Sequence, residues 1–261
     1  MEKSAIECLK IIKHPERPNA LDYINSVFEN FIEIHGDRLY GDDPAVIGGI
    51  ATINNIPVTV IGQVRTRNTQ ENLKYNFSMA TPDGFRKALR LCQQSQKFNR
   101  PVIFLVDTVG AYPGIDAEKR GQHSAIATDL MEFMFLKVPT ISILIGNGGS
   151  GGALAFCIAN SVCALENSIL SVISPKAGAN IIFKDSSKEL EAAKILKMTS
   201  DILMELGIID TIIKEPNGGA HNCKDFVFKN VKDYILRELK KYENVPIKKI
   251  VESRYKRYRN F

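Results

Sequence analysis

The apolar positions of this chain change their period several times, and each change marks an element. Residues 4–13 carry apolar side chains at helical intervals until Pro15 and Pro18 stop the run. Tyr23, Ile24, Val27, Phe28, Phe31 and Ile32 recur with the same spacing, which predicts a second helix over 22–33. Residues 46–53, the pair Asn54-Asn55 and residues 57–62 read as a β-hairpin, and the polar stretch 65–81 reads as loop. Then a repeat begins. Residues 82–97 are helical, with Pro82 in the first turn and Phe85, Ala88, Leu89 and Cys92 on one face. A wholly apolar strand at 101–106 ends in DTVGAYPG, a helix follows over 117–136, and a second buried strand at 138–145 ends in GNGGSGG. A small-residue helix over 152–160, short strands at 162–165 and 169–172, a helix from about Lys176, helix over 186–206 and a strand at 208–213 complete the core pattern. Residues 222–259 hold one or two helices broken near Pro246.

Buried strands that alternate with helices imply a parallel sheet with crossover helices. Both glycine-rich turns follow a strand and lead into a helix, so they fall at the same sheet edge, where ligands of α/β folds bind. With 261 residues and 44% apolar content, one α/β domain is expected. It divides into N-terminal helices (1–35), a core (36–215) and a basic helical C-terminal part (216–261).

Composition narrows the chemistry. Charges of both signs are interspersed and the net charge is +5, which by itself does not call for DNA or another nucleic acid. The basic excess gathers in 248–259, read as a solvated or subunit-docking helix. Cys8, Cys92, Cys157, Cys163 and Cys223 are scattered with no CxxC pair, and the four histidines show no ligand spacing, so no metal site is expected on this chain and a reducing cytoplasm is. The N-terminus lacks an apolar signal core and no run reaches membrane-spanning length.

The turn Gly146-Asn147-Gly148-Gly149-Ser150-Gly151-Gly152 admits three readings. It spells G-x-G-x-x-G with Glu166 twenty residues on, as in a dinucleotide site. It also spells G-x-S-x-G, with Ser150 followed by Asp210 and His221 in the chain order of an α/β-hydrolase triad. The third reading uses the backbone: glycines let N–H groups reach a developing oxyanion unscreened by Cβ, and a following helix N-terminus adds positive potential. Glycines that merely permit tight strand–helix packing are the plain alternative.

FIEIHGDRLYGDD (31–43), ENLKYNFSMATPDGFRKALRL (71–91), DTVGAYPGIDAEKRGQ (107–122), IGNGGSGGALA (145–155), SVISP (171–175) and LGIIDTIIKEPNGGAH (206–221) stand in the order and spacing of one family. Through them the chain resembles the carboxyltransferase α subunits of bacterial-type acetyl-CoA carboxylase, in their shorter, Gram-positive-type form, over nearly its whole length. The resemblance implies an α/β, crotonase-like spiral of ββα units with flanking N- and C-terminal helices. It implies transfer of a carboxyl group from carboxybiotin, held on a biotin carboxyl carrier protein, to acetyl-CoA, giving malonyl-CoA for fatty-acid synthesis. It further implies a carboxyltransferase β subunit in an α2β2 assembly, with zinc on that β subunit, and a biotin carboxylase that loads the carrier. The oxyanion donors implied are the N–H groups of Gly151 and Gly152, with Gly110 and Ala111 facing them. Tyr112, Gly148, Gly149, Arg86, Lys87 and Arg120 are candidates for substrate binding. A crotonase-type enzyme acting alone and a non-catalytic scaffold are the competing classes.

The chain also departs from that family's pattern. Asn147 stands for the glutamate of G-E-G-G-S-G-G, Lys176 for that of S-P-E and Ser124 for that of R-G-Q-x-E. Val109, Ser78, Ala80 and Phe183 replace further usual residues. Three lost carboxylates and one gained lysine make the region about four charges more positive, which suggests a specialised paralogue.

Overall fold

The computed structural model describes residues 4–66 and 68–260. Helix α1 (Ala5–Ile12) starts on a capping box: Ser4 Oγ accepts the Glu7 N–H and the Glu7 carboxylate accepts the Ser4 N–H. Helix α2 (Ala20–Val27) starts the same way on Asn19 and Asp22. The helix predicted over 22–33 ends early, because strand β1 (Glu29–Glu33) follows at once. Asn30 takes a left-handed φ of 55°, and the segment pairs with strand β2 (Val46–Ile53) across an irregular register. Ile32, which continued the apolar period, is 65% exposed. Strand β2 and strand β3 (Ile56–Gln63) form the predicted hairpin; Asn54 and Asn55 both have positive φ, as a two-residue turn of this kind requires. Within the stretch expected to be loop, helix α3 (Thr69–Lys74) forms on an Asn68 cap.

Helix α4 (Pro82–Lys97), strand β4 (Val102–Thr108), the short helix α5 (Ile115–Lys119), helix α6 (Gln122–Met134) and strand β5 (Thr140–Gly149) follow. Beyond lie α7 (Ser150–Leu154), β6 (Ser161–Leu165), β7 (Ile169–Ser171), α8 (Pro175–Phe183), α9 (Glu189–Ile195), α10 (Ser200–Glu205), β8 (Thr211–Ile213), α11 (Lys224–Tyr242) and α12 (Ile247–Arg259). The helix expected over 186–206 is therefore split between α9 and α10, with Lys197 left-handed between them. The small-residue helix begins at Ser150 and gives way to a 3-10 turn at Ala155–Cys157.

Among the described residues the strands form one eight-stranded sheet, in the order β1-β2-β3-β4-β5-β6-β8, with β7 on β5. It is antiparallel from β1 to β3 and parallel from β3 onward. Strand β4 shows why residues 102–106 are apolar at every position. Ile103 and Leu105 point into a layer with Tyr23, Ile24, Val227 and Val231, from α2 and α11. Val102, Phe104 and Val106 point into the opposite layer, with Phe85, Leu91 and Phe133 from α4 and α6.

Strand β5 changes partner along its length. Residues 141–144 pair with β6, whereas Asn147, Gly148 and Gly149 pair with β7. The register against β4 slips by two residues where this happens: Val106 faces Leu144, but Thr108 faces Gly148. Here the glycine-rich segment exchanges β6 for β7 as its neighbour while Gly148 stays paired with β4. Helix α12 closes the far side. Arg254, fully buried, donates to the carbonyls of Phe133, Leu136 and Val138 at 2.8–2.9 Å, so the basic tail docks on its own chain. Among the described residues no helix is long and apolar enough to cross a membrane.

Candidate active site

The ends of β4 and β5 meet backbone to backbone. A Cβ on Gly152 would stand 2.5 Å from the Gly110 carbonyl carbon and 2.6 Å from the Ala111 nitrogen; one on Gly149 would stand 2.3 Å from the Val109 carbonyl. Glycine is required at both because main chain occupies the space. Gly148 is crowded instead by the side-chain methyls of Leu144 and Leu170, as a packing residue of β5. Gly151 differs, since the nearest atom to its would-be Cβ is Ile126 Cγ2 at 3.9 Å. The two predicted turns are thus in contact, with Gly151, Gly152 and Ala111 together. Gly110 is at the same place, but its N–H donates to Thr108 Oγ1 at 3.1 Å, so its role is to shape the turn rather than to supply a donor.

The other two readings of the turn lose their partners. Ser150 does sit between strand and helix with a φ of 52°. However, Asp210 accepts the Val162 N–H and pairs with Arg257, while His221 stacks on His14 at 3.7 Å. Neither forms a triad with Ser150. Gly146 and Gly148 belong to strand β5, and the Glu166 carboxylate is taken by Lys214 and the Glu215 N–H, which removes the dinucleotide geometry.

A cavity of about 310 Å3 opens beside the turn, reached by Val109, Asn147, Gly149 and Ser150. Its far wall includes Ile169, Ile173 and Met198; Lys13, Lys176 and Glu189 bring charge to it. Three of the positions that depart from the family pattern, Val109, Asn147 and Lys176, therefore line one space. Ser124 lies exposed on α6 and does not.

The chain matches, over residues 2–261, the family described as acetyl co-enzyme A carboxylase carboxyltransferase-like. It belongs to that family. Among its relatives, the acetyl-coenzyme A carboxylase carboxyl transferase subunit alpha of Clostridium perfringens is 54% identical over 252 residues, covering 97% of this chain and 93% of the relative. The protein of the same name from Listeria welshimeri is 55% identical over 218 residues, 84% of this chain and 69% of that one. A solved transcarboxylase 12S core superposes with a TM-score of 0.71 at 19% identity, covering 86% of this chain and 41% of that one. At that identity the likeness shows the fold, which is crotonase-type, as the resemblance implied.

Within this carboxyltransferase framework the remaining candidates separate. Lys87 is a correction: it is 1% exposed, and its ammonium is spent on Asp42 Oδ1 at 2.6 Å and the Asp43 carbonyl at 2.8 Å, inside the molecule where no phosphate can reach it. Arg86 bridges Asp37 and Asp83 at 2.7 Å each. Burial pushes the Asp37 carboxyl up, but the N–H groups of Leu39, Tyr40 and Gly41 and the Arg86 guanidinium outweigh it and hold the group well below the usual carboxylate range. Arg120 also pairs with Asp83 and lies 4.4 Å over the Tyr40 ring. These three cations brace the loop 36–43 against α4. The Tyr112 ring lies against Gly114, and its carbonyl accepts from Gln122 Nε2.

Residues that sequence reasoning passed over lie beneath the turns. Gln63, 1% exposed at the end of β3, donates through Nε2 to the Gly152 carbonyl at 2.8 Å. Asp107, the one acid of a wholly buried strand, accepts the Asn147 N–H at 2.8 Å. Arg17 pairs with Glu215 inside the fold at 2.7 Å. Burial works against the Arg17 cation, but Glu215 more than offsets it, so its pKa is raised and that of Glu215 lowered. A charged residue within an apolar run, or an arginine between two prolines, was the available signal.

Proposed function

We propose that this chain is the α half of a carboxyltransferase that moves a carboxyl group from carboxybiotin, on a carrier protein, to acetyl-CoA, forming malonyl-CoA. The observation that carries the reading is the contact of Gly152 with the Gly110–Ala111 main chain, close in sequence to Val109, Gly149 and Ser150, which line the 310 Å3 cavity. It supports backbone donors from two turns converging on one point, with no nucleophile–base pair beside them. Biotin, brought by the carrier, supplies an N-carboxylated urea whose carboxyl group is the one transferred.

The N–H groups of Gly151, Gly152 and Ala111 hold a carbonyl oxygen as negative charge builds on it. Each such donor contributes about 3 kcal/mol when preorganised. The space around the Gly151 Cα is open, and Gln63 Nε2 holds the Gly152 carbonyl from behind. Ile169, Ile173 and Met198 keep water from the cavity wall, while Lys13 and Lys176 favour an anionic guest. Asn147 and Lys176 mark the site of a specialised paralogue.

The β subunit completes the site in an α2β2 assembly and carries zinc; a biotin carboxylase charges the carrier, in the cytoplasm. Val109, Ile115, Leu154, Val172 and Ile181, all close to half exposed or more, give such a partner apolar surface to cover. Co-expression with a zinc-ribbon β subunit and an assay of carboxybiotin-dependent malonyl-CoA formation test the reading. Gly151→Val with Gly152→Val is expected to abolish turnover. Retained turnover in the assembled double variant would remove these glycines from the site and favour a scaffold role.

A further inference from the structure

Two buried charges of opposite sign grip the main chain on either side of Gly146. Arg17 donates through Nε and Nη2 to the Ile145 carbonyl at 3.2 and 2.9 Å, while Asp107 Oδ1 accepts the Asn147 N–H at 2.8 Å. The two side chains come from distant parts of the sequence, and Arg17 is 5% and Asp107 4% exposed. Each is itself held: Arg17 by Glu215, Asp107 by the Arg65 guanidinium at 3.8 Å. Gly146 lies so close to the carboxylate that a Cβ there would come within 2.7 Å of three of its atoms.

This arrangement orients peptide planes. Turning the 146–147 peptide over would point a carbonyl oxygen at a buried carboxylate and leave that carboxylate without its donor. Turning the 145–146 peptide would withdraw the acceptor from a buried guanidinium. Both rotations would leave a buried charged group short of a hydrogen-bond partner, so both are disfavoured.

The same acid is tied to the first turn. The Asp107 carbonyl accepts from Ser78 Oγ, and the next residue, Thr108, donates to the Ser78 carbonyl and accepts the Gly110 N–H. A rigid path therefore runs from the clamp to both sets of donors.

We infer that Arg17 and Asp107 are positioning residues: a charge clamp on the peptides flanking Gly146 that sets the spacing between the donor turns. The inference rests on the reading that these turns bind the oxyanion.

The test uses the full chain assembled with its β subunit. Asp107→Ala is expected to lower kcat about 100-fold, the loss that one misplaced oxyanion donor causes, with the KM for acetyl-CoA changed by less than about twofold. Asp107→Asn keeps an acceptor for the Asn147 N–H and is expected to recover all but about tenfold. Equal losses in the two variants, or wild-type kcat in Asp107→Ala, would overturn the clamp. Should Asp107→Ala fail to assemble, Arg17→Lys keeps a cation for Glu215 but cannot give two N–H groups to Ile145; the same fall in kcat is expected, and wild-type kcat there refutes the idea. Crystal structures of Asp107→Ala and the unsubstituted chain provide a readout independent of turnover: residues 145–152 should differ in main-chain path, and superposition would sink the clamp. An unsubstituted complex that makes no malonyl-CoA would instead refute the functional reading, leaving the crystallographic comparison to decide the clamp.

Discussion

Two arginines, Arg17 and Arg254, lie inside this fold under opposite conditions. Arg17 sits beneath the donor turns with a carboxylate partner, Glu215, and gives its other N–H groups to one strand carbonyl. Arg254 sits on the far side and serves the carbonyls at the end of α6, with Asn160 Oδ1 as a further, neutral acceptor. Glu215 raises the pKa of Arg17, whereas burial lowers that of Arg254 to about 10. A helix end needs positive potential and several donors, which a lone guanidinium provides. A turn proposed to stabilise an anion needs fixed geometry, and paired charges give fixed geometry with little net field.

The sharpest way to break this contrast is at the turns themselves. Gly152→Ala places a methyl group where the Gly110 carbonyl carbon lies 2.5 Å away, so turnover should fall on the order of 1,000-fold. Gly151→Ala meets open space and should cost about tenfold or less, measured by steady-state carboxyl transfer. Similar losses in both would mean that the contact between turns does not set the rate.

Next come the arginines. Arg17→Met strands Glu215 and should destabilise the chain by about 4 kcal/mol in urea unfolding, with kcat reduced in whatever fraction stays folded. Arg254→Met leaves the α6 carbonyls unpaired and should cost about 3 kcal/mol without changing kcat per folded molecule. A kcat loss in the Arg254 variant would erase the distinction between the two regions.

Lys87→Met should cost about 2 kcal/mol and leave the KM for acetyl-CoA unchanged, because the ammonium faces Asp42 and not solvent. A rise in KM would restore Lys87 to the substrate. The smallest effect concerns acid. Burial tends to raise the pKa of Asp42, but Lys87 and the Gly36 N–H prevail and lower it from 3.8 to about 2. A depressed carboxylate stabilises the fold above its unfolded pKa, and that contribution is lost as pH falls from near 3.8 towards 2. Asp42→Asn should flatten that part of the acid-unfolding profile; an unaltered slope would show that other carboxylates govern it.

How much of this could be read in the residues depended on the range of the interactions. Helix α4 and strands β4 and β5 declare themselves locally, through Pro82, a helical apolar stripe and uninterrupted apolar runs. The contact of the two turns was also foreseeable, because successive parallel strands bring their carboxyl ends to one edge. The segment 29–33 misled because its spacing suits a helix, while its pairing with residues 49–52 and the left-handed Asn30 are tertiary facts. Lys87 misled because burial of a lysine depends on an acid, Asp42, forty-five positions away. Arg17 and Asp107 stayed unseen for the same reason: their partners on β5 lie 128 and 40 residues off.

The pairing of Arg17 with Glu215 spans 198 positions, and this bears on how the protein is made. Closing so long a loop is entropically unfavourable until the intervening sheet has formed. The Arg17–Glu215 pair beneath these turns thus cannot form during synthesis until residue 215 has left the ribosome. Until then the growing chain has its two turns but lacks the buried ion pair that braces them from below.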